Sequence, residues 1–222
     1  MHGAGMRSRA PLGTAPPAAQ GATLIEFALV LVLGVLPMVL GILQTTALVV
    51  AHNAVNLAAF MAARQGAVSN ADAAAMRREF ARGLLPLYAP AARSGLLTAP
   101  QAARAYATAL GEVLSADELR IAAPGRRQVA GLAQLRRGQW VIPNDSLEYR
   151  GRLVRDANVL AIVVTHCQPL VVPIVGAALA ALLADMDPDP VHQRCYALGR
   201  APLRARAMTV MQSDIPIGVL PP

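Results

Sequence analysis

Glu26 is the residue whose place in the sequence most needs a chemical explanation. It stands at the start of a long apolar run, and the residues from Phe27 to Leu43 carry no charge. Burying an ionised carboxylate in hydrocarbon is costly, so such a residue persists where it has an ionic partner or a function. The simpler alternative is a carboxylate at a membrane interface that favours the positive end of a helix.

Gly21 lies five residues before Glu26, and this spacing suggests which group pairs with the carboxylate. The stretch Gly21-Ala-Thr-Leu-Ile-Glu26-Phe27, with a basic tail before it and an uncharged run after it, has the layout of a prepilin processing site. In that layout Gly21 ends a leader, Ala22 becomes the new N-terminus and Glu26 is the fifth mature residue. We therefore predict that the carboxylate pairs with the N-terminal amine of another subunit and sets the register of stacked helices.

Cys167 and Cys195 are the chain's two cysteines and the second candidate for chemistry. If they lie outside the cytoplasm they should form a disulfide, and closing a loop of about 28 residues would stabilise the fold by roughly 3–4 kcal/mol. A zinc site made of His166, Cys167, His192 and Cys195 is an alternative. It is disfavoured because adjacent His166 and Cys167 would point to opposite faces of a strand. Unpaired buried thiols are the third alternative.

Enzymatic and nucleic-acid functions find no support in the sequence. It contains no Gly-x-Ser-x-Gly, His-Glu-x-x-His or phosphate-loop motif, so we expect no catalytic residues, cofactor or metal. The formal net charge is +7, but every basic residue is arginine, the arginines are scattered and only 4% of residues are aromatic. A basic stripe interleaved with stacking aromatics is therefore absent, and we do not expect nucleic-acid binding.

The residues that position Glu26 form a predicted membrane anchor from Ala22 to about Ala51. About 20 apolar residues span a bilayer, and this run is longer. Arginines precede it and no charge follows until Arg64, which predicts a cytoplasmic N-terminus and an extracytoplasmic remainder. Pro37, near the middle, should kink the helix, because proline removes a backbone donor that neighbours or local adjustments must replace.

Beyond the anchor, apolar residues recur at three- and four-residue spacing, so the helix should continue to a stop near Gly66. The predicted organisation is a leader at 1–21, a transmembrane and projecting helix at 22–66, and a domain at 67–222. Within that domain we predict helices after Asp72, ended by Pro86 and Pro90, and from Thr98 to about Leu114. We predict strands at Leu119–Ile121, Asn158–Thr165 and Arg204–Gln212. The expected fold class is α+β, with a few antiparallel strands.

A second apolar stretch runs from Leu170 to Ala184. It is short for a membrane span and is broken by Pro173 and Gly176. We predict a buried or surface-capping helix here; contact with the membrane is the less favoured alternative. The residues Asp185–Pro190 that follow are expected to form a loop.

Together these residues resemble the TadE-like family, the minor pilins or pseudopilins of the tight-adherence (Flp, type IVb) pilus. The specific resemblance covers residues 21–66, including Asn53-Ala-Val-Asn-Leu-Ala-Ala-Phe-Met-Ala-Ala-Arg64-Gln-Gly66. Flp-type sites often carry tyrosine after the glutamate, where this chain has Phe27. Four later segments resemble parts of some longer members: Ile142-Pro-Asn-Asp145, Asp156-Ala-Asn-Val-Leu160, Pro169-Leu-Val-Val-Pro173 and Met211-Gln-Ser213.

The resemblance implies a prepilin peptidase that cuts after Gly21 and a Glu26 that is needed for processing or assembly. The implied partners are that peptidase, other pilins or pseudopilins, pilus assembly proteins and the inner membrane. The implied location is a single-pass inner-membrane protein with a periplasmic domain that takes part in pilus assembly and surface adhesion. Two alternatives remain open: an uncleaved membrane scaffold of the pilus or secretion machinery, and a secreted periplasmic protein cut near Ala51.

Overall fold

The computed structural model describes residues 20–89, 98–145, 157–172 and 175–222. The predicted leader up to residue 19, the helix-ending Pro90, Asp156 and Pro173 lie outside the described residues. The chain forms two compact units, one ending at Val39 and one formed by Leu40–Pro222.

The first unit consists of helix α1 (Gln20–Val30), a π-helical turn (Leu31–Val35) and the first residues of helix α2 (Leu36–Val68). From Leu24 to Val68 the residues form one helical segment of 45 residues, long and apolar enough to cross a membrane by length and composition. The predicted stop at Gly66 is wrong by one half-turn, because α2 ends at Val68. Gly66 instead lies in the core, where an added Cβ would be 2.6 Å from Met76 Sδ and 2.8 Å from Leu160 Cδ2.

Most of α2 belongs to the second unit, and from Ala51 onward one face of the helix is buried. Small residues dominate this face and recur every three or four positions, as a helix with one core-facing stripe requires. The buried set comprises Ala51, Val55, Ala58, Ala59, Ala62, Ala63, Gly66 and Ala67. Because alanine and glycine leave the helix surface nearly flat, neighbouring elements approach the backbone of α2 closely.

Three helices follow α2 along the chain. Helix α3 (Ala73–Gly83) begins at Asp72, whose carboxylate accepts hydrogen bonds from the N–H groups of Ala74 and Ala75, as predicted for a helix start here. Pro86 does not end this helix; it lies at the start of the short helix α4 (Leu85–Tyr88), where proline's fixed φ is favourable. Helix α5 (Ala99–Ser115) begins at the predicted Thr98, which forms a capping box with Gln101.

The main sheet has three antiparallel strands in the order β1-β4-β5. Their bounds are Glu118–Ala123 for β1, Val159–Pro169 for β4 and Arg200–Val210 for β5. All three were predicted, although β4 continues beyond the predicted Thr165, and β5 begins before the predicted Arg204 and ends before the predicted Gln212. The central strand β4 is buried over most of its length and contributes Leu160, Ile162 and Val164 to the same core as α2 and α3.

A smaller sheet contains strands β2 (Gln134–Arg136), β3 (Gln139–Ile142) and β6 (Ile215–Pro216) in the order β2-β3-β6. Strands β2 and β3 form a hairpin whose turn residues, Arg137 and Gly138, both have positive φ. This turn geometry matches the twist of paired strands. No strand was predicted from the sequence in this part of the chain.

Helix α6 (Arg126–Val129) precedes β2. Helices α7 (Val175–Met186) and α8 (Pro190–Ala197) connect β4 to β5. Helix α8 was not predicted, and Asp189 begins it by accepting a hydrogen bond from the N–H of Val191. The predicted α+β class, with a long N-terminal helix followed by helices and antiparallel strands, is confirmed.

The close approach of α3 to α2 yields a stability prediction. A Cβ on Gly83 would lie 2.5 Å from Ala58 Cα and 2.6 Å from Ala58 Cβ, so Gly83→Ala forces two buried helices apart. We expect Gly83→Ala to lower the free energy of unfolding by about 1–3 kcal/mol, as overpacking does elsewhere. Urea unfolding of the full-length protein in detergent micelles measures this loss.

Gly111 provides the matched control. It lies inside α5, and an added Cβ there meets no atom within 4 Å. Gly111→Ala should therefore raise the free energy of unfolding by about 0.5–1 kcal/mol through helix propensity alone. Equal effects of the two substitutions would contradict the close packing of α3 on α2.

Candidate functional site

The predicted processing motif lies on α1. Gly21 and Ala22 occupy the first turn of the helix, and Glu26 and Phe27 follow one turn later with exposed side chains. Within the described part of the chain, no hydrogen bond or ion pair reaches the Glu26 carboxylate. A partner for this charge therefore has to come from another molecule or from the surrounding medium.

The apolar surface around Glu26 is continuous. Every residue from Leu24 to Val39 is exposed, and none of them apart from Glu26 is charged. Exposed apolar surface of this extent is unfavourable in water, and by length and composition the helix suits a membrane environment. A helix suits either environment because its backbone hydrogen bonds are satisfied internally.

Pro37 lies directly after the π-helical turn Leu31–Val35. Proline has no N–H to donate, so the carbonyl four residues earlier loses its α-helical partner. In the π-helical turn the N–H of Leu36 donates instead to the carbonyl of Leu31. This local change of hydrogen bonding is one of the ways in which apolar helices accommodate proline, and the helix continues through it.

Cys167 and Cys195 form a disulfide that joins β4 to α8, with a Cα–Cα distance of 5.1 Å. Cys167 is part of β4, and its backbone N–H donates to Asp117 Oδ1 at 3.0 Å. The disulfide prediction is confirmed. The zinc alternative is excluded by the same bond, because oxidised sulfurs cannot act as thiolate ligands.

A buried, hydrogen-bonded histidine and aspartate lie beside the disulfide. His166 Nδ1 donates to Asp117 Oδ2 at 2.7 Å, and the two side chains are 0% and 1% exposed. The hydroxyl of Tyr88 lies 3.5 Å from His166 Nε2, on the opposite side of the ring. The side chains of His166 and Asp117 are enclosed by protein, and their contacts link β4 to the segment before β1.

Glu112 and Arg200 form a second pair near the same end of the sheet. The hydrogen bond from the Arg200 guanidinium holds the pKa of Glu112 below its usual value. Burial, followed by the charges of Glu112 and Asp117, raises the pKa of Tyr88. Tyr88 therefore remains protonated and able to donate to His166 at physiological pH.

The loop between α7 and α8 is ordered by its own acidic residues. Asp187 accepts hydrogen bonds from the N–H of Asp189 and from the side chains of His192 and Tyr196. These donors, the Asp189 N–H above all, lower the pKa of Asp187. Burial and the bond to Asp187 raise the pKa of Tyr196 to about 12. His192 thus contributes to the loop rather than to a metal site.

The segment Met211-Gln-Ser213 contacts the end of α2, and Asn144 of Ile142-Pro-Asn-Asp145 is linked to it through Asp214. The N–H of Gln212 and the hydroxyl of Ser213 both donate to the carbonyl of Ala67, at 2.9 Å each. Asp214 accepts a hydrogen bond from the N–H of Asn144 and forms an ion pair with Arg136 at 3.2 Å. These contacts attach the small sheet to the end of the long helix.

Two buried groups of this arrangement were missed by reasoning from the sequence. Asp117 was not singled out from the sequence, and its partner His166 was considered only as a zinc ligand. Gln44, which lies within the predicted anchor, is 1% exposed and accepts a hydrogen bond from the N–H of Val172 at 2.9 Å. A glutamine within an apolar run was a usable signal, because a buried amide requires a partner.

Residues 21–64 match the model of a family described as TadE-like protein. The matched region begins at Gly21, includes Glu26 and the entire exposed apolar run, and ends within α2. The resemblance noted from the sequence is therefore confirmed for this region. No curated protein and no solved structure matches the chain.

The disulfide yields the next prediction. Reducing it should lower the free energy of unfolding of the full-length protein by roughly 3–4 kcal/mol, since the bond closes a loop of about 28 residues in the unfolded chain. Urea unfolding in detergent with and without reductant measures the loss. The double variant Cys167→Ala/Cys195→Ala should have the same free energy of unfolding as the reduced protein, and reductant should not change it. A change on adding reductant to this variant would contradict the attribution of the loss to the Cys167–Cys195 disulfide.

The Glu112–Arg200 pair predicts a pH dependence. Because the folded-state pKa of Glu112 lies below the unfolded-state value, the pair's contribution is complete above the unfolded pKa and is lost as pH falls through the folded one. Between about pH 6 and about pH 3, the wild type should lose more unfolding free energy than Glu112→Gln. Parallel pH profiles of the two proteins would contradict the assignment.

Proposed function

We propose that this protein is a minor pilin or pseudopilin that takes part in assembling a tight-adherence (Flp, type IVb) pilus and in surface adhesion. The observation that carries the proposal is a coincidence of three features in one region. The TadE-like match, the unpartnered carboxylate of Glu26 and the fully exposed apolar helix all fall between residues 21 and 64.

In this proposal a prepilin peptidase cuts between Gly21 and Ala22 and exposes a new amine at the start of α1. Glu26 lies one helical turn later on the same helix. In an assembly of parallel helices, the carboxylate of one subunit pairs with the amine of its neighbour, where the low dielectric strengthens the attraction. The exposed apolar residues then pack against sister helices, which replace the lipid that covers them before assembly.

The proposed location is the inner membrane, crossed once, with the N-terminus in the cytoplasm and the Leu40–Pro222 unit mainly in the periplasm. The disulfide supports a periplasmic location of this unit, because such bonds persist in oxidising compartments. The remaining proposed partners are other pilins or pseudopilins and the pilus assembly proteins. The proposed mechanism is assembly and not catalysis.

The N-terminus and the intact mass of the protein purified from its native membrane test the proposal. With the prepilin peptidase present, the chain should begin at Ala22; without the peptidase, it should retain its leader. A start at Met1 under both conditions would indicate a permanent scaffold, and a start at His52 a secreted domain. Either result would overturn the proposed role of Glu26.

Two variants separate the charge of Glu26 from the shape of the motif. Glu26→Ala removes the carboxylate and should abolish processing or incorporation of the subunit into pili, scored by mass and by sheared-pilus immunoblots. Phe27→Tyr is the matched control, because it restores the hydroxyl common at Flp-type sites and leaves the charge intact. It should be processed and assembled like the wild type.

A further inference from the structure

The end of the membrane-facing surface can be located on α2 within the second unit. The exposed side chains of Ile42, Leu43, Val49 and Val50 are apolar, and His52 and Asn53 form the first exposed polar pair after them. Thr45 and Thr46 lie within this surface, but their hydroxyls donate to the carbonyls of Gly41 and Ile42 in their own helix. These hydroxyls therefore need no water, and the apolar surface continues to Val50.

Another part of the domain contacts α2 inside this apolar zone. Gln44 lies eight residues before His52, which corresponds to about 12 Å along an α-helix. Its amide oxygen accepts the N–H of Val172, so the segment that leaves β4 is attached to the helix at this depth. On the same face Leu40, Gly41, Ala47 and Leu48 are partly buried, whereas the opposite face stays exposed.

Helix α7 begins three residues after Val172, which is bonded to Gln44, and the residues of α7 are as apolar as the neighbouring part of α2. Its sequence, Val-Gly-Ala-Ala-Leu-Ala-Ala-Leu-Leu-Ala-Asp-Met, carries no charge before Asp185 in the last turn. Much of it is unpartnered within the unit: Leu182 is 59% exposed and Met186 is 71% exposed, and Val171 before the helix is 70% exposed. Exposed apolar side chains on such a helix are typical of a membrane-contacting element.

We propose that Leu170–Val172 and α7 insert into the lipid leaflet on the domain's side and contact acyl chains beside the anchor. The charge distribution favours acyl chains over anionic headgroups, because α7 has no basic residue and ends in the acidic residues Asp185, Asp187 and Asp189. The domain would then rest on the membrane through a second, non-spanning contact. This inference rests on the membrane anchoring in the proposed function.

Tryptophan quenching by brominated phosphatidylcholine tests the proposal in the full-length chain. Trp140 is the chain's single tryptophan and is exposed, so Trp140→Phe provides a silent background. Leu182→Trp in that background reports on α7, and Met186→Trp is a second reporter should the first variant fold poorly. The protein is reconstituted at a low protein-to-lipid ratio, so that copies of the chain do not contact one another in the vesicles.

Met208→Trp is the matched control. Met208 is 58% exposed, close to the 59% of Leu182, but it pairs with Ala161 on β4. That end of β4 lies beside Gly66, which is 22 residues or about 33 Å along α2 from Gln44. Leu33→Trp, in the exposed apolar helix, reports independently on the anchor.

The expected result is that Leu182→Trp and Leu33→Trp lose most of their emission in brominated lipid, whereas Met208→Trp does not. Quenching at position 33 without quenching at 182 or 186 would overturn the inference and leave the anchor standing. Absence of quenching at 33 as well would overturn the proposed anchoring itself. A blue-shifted but unquenched signal at 182 would assign the α7 surface to a protein partner and would also overturn the inference.

Discussion

The structure depends on one long helix whose apolar residues must be covered by different means along its length. From Leu24 to Val39 the residues are exposed on all sides, and no described part of the chain covers them. From Ala51 onward a stripe of alanines and Gly66 is covered by α3 and β4. Between them, Gln44 is held by the segment after β4. The hydrophobic effect therefore favours both the packing of α3 and β4 on α2 and the covering of the exposed apolar residues by another apolar environment.

Several carboxylates of the domain are fully or partly buried, and each accepts hydrogen bonds from neighbouring donors. Asp117 receives the ring N–H of His166 and the backbone N–H of Cys167, and so neutralises two donors at the sheet's edge next to the disulfide. Arg200 and Glu112 pair nearby, and Asp214 collects donors from the small sheet. Buried carboxylates persist when donors surround them in this way, and the resulting network gives the strands a single register.

The unpaired and the paired carboxylates lie in different parts of the chain, and this bears on the proposed assembly. Glu26 stands in a helix with no partner in the described chain, whereas the carboxylates of the domain that the structure pairs lie in cross-links between its elements. In the proposed assembly, the helix would exchange lipid for other helices while the contacts inside the Leu40–Pro222 unit stay in place. The TadE-like match covers the exposed apolar residues and also the part of α2 up to Ala63 that packs in the domain core.

The long apolar helix, the starts of α3 and α5, the three strands of the main sheet and the disulfide were predictable from the sequence. The helices and strands follow from composition and from caps at Asp72 and Thr98, which are local properties, and the disulfide follows from there being two cysteines. The packing of Gly66 in the core, the pairing of Asp117 with His166 and the bond between Gln44 and Val172 depend on the tertiary structure. These contacts join residues far apart in the chain, and no periodicity or propensity carries information about which distant groups will meet.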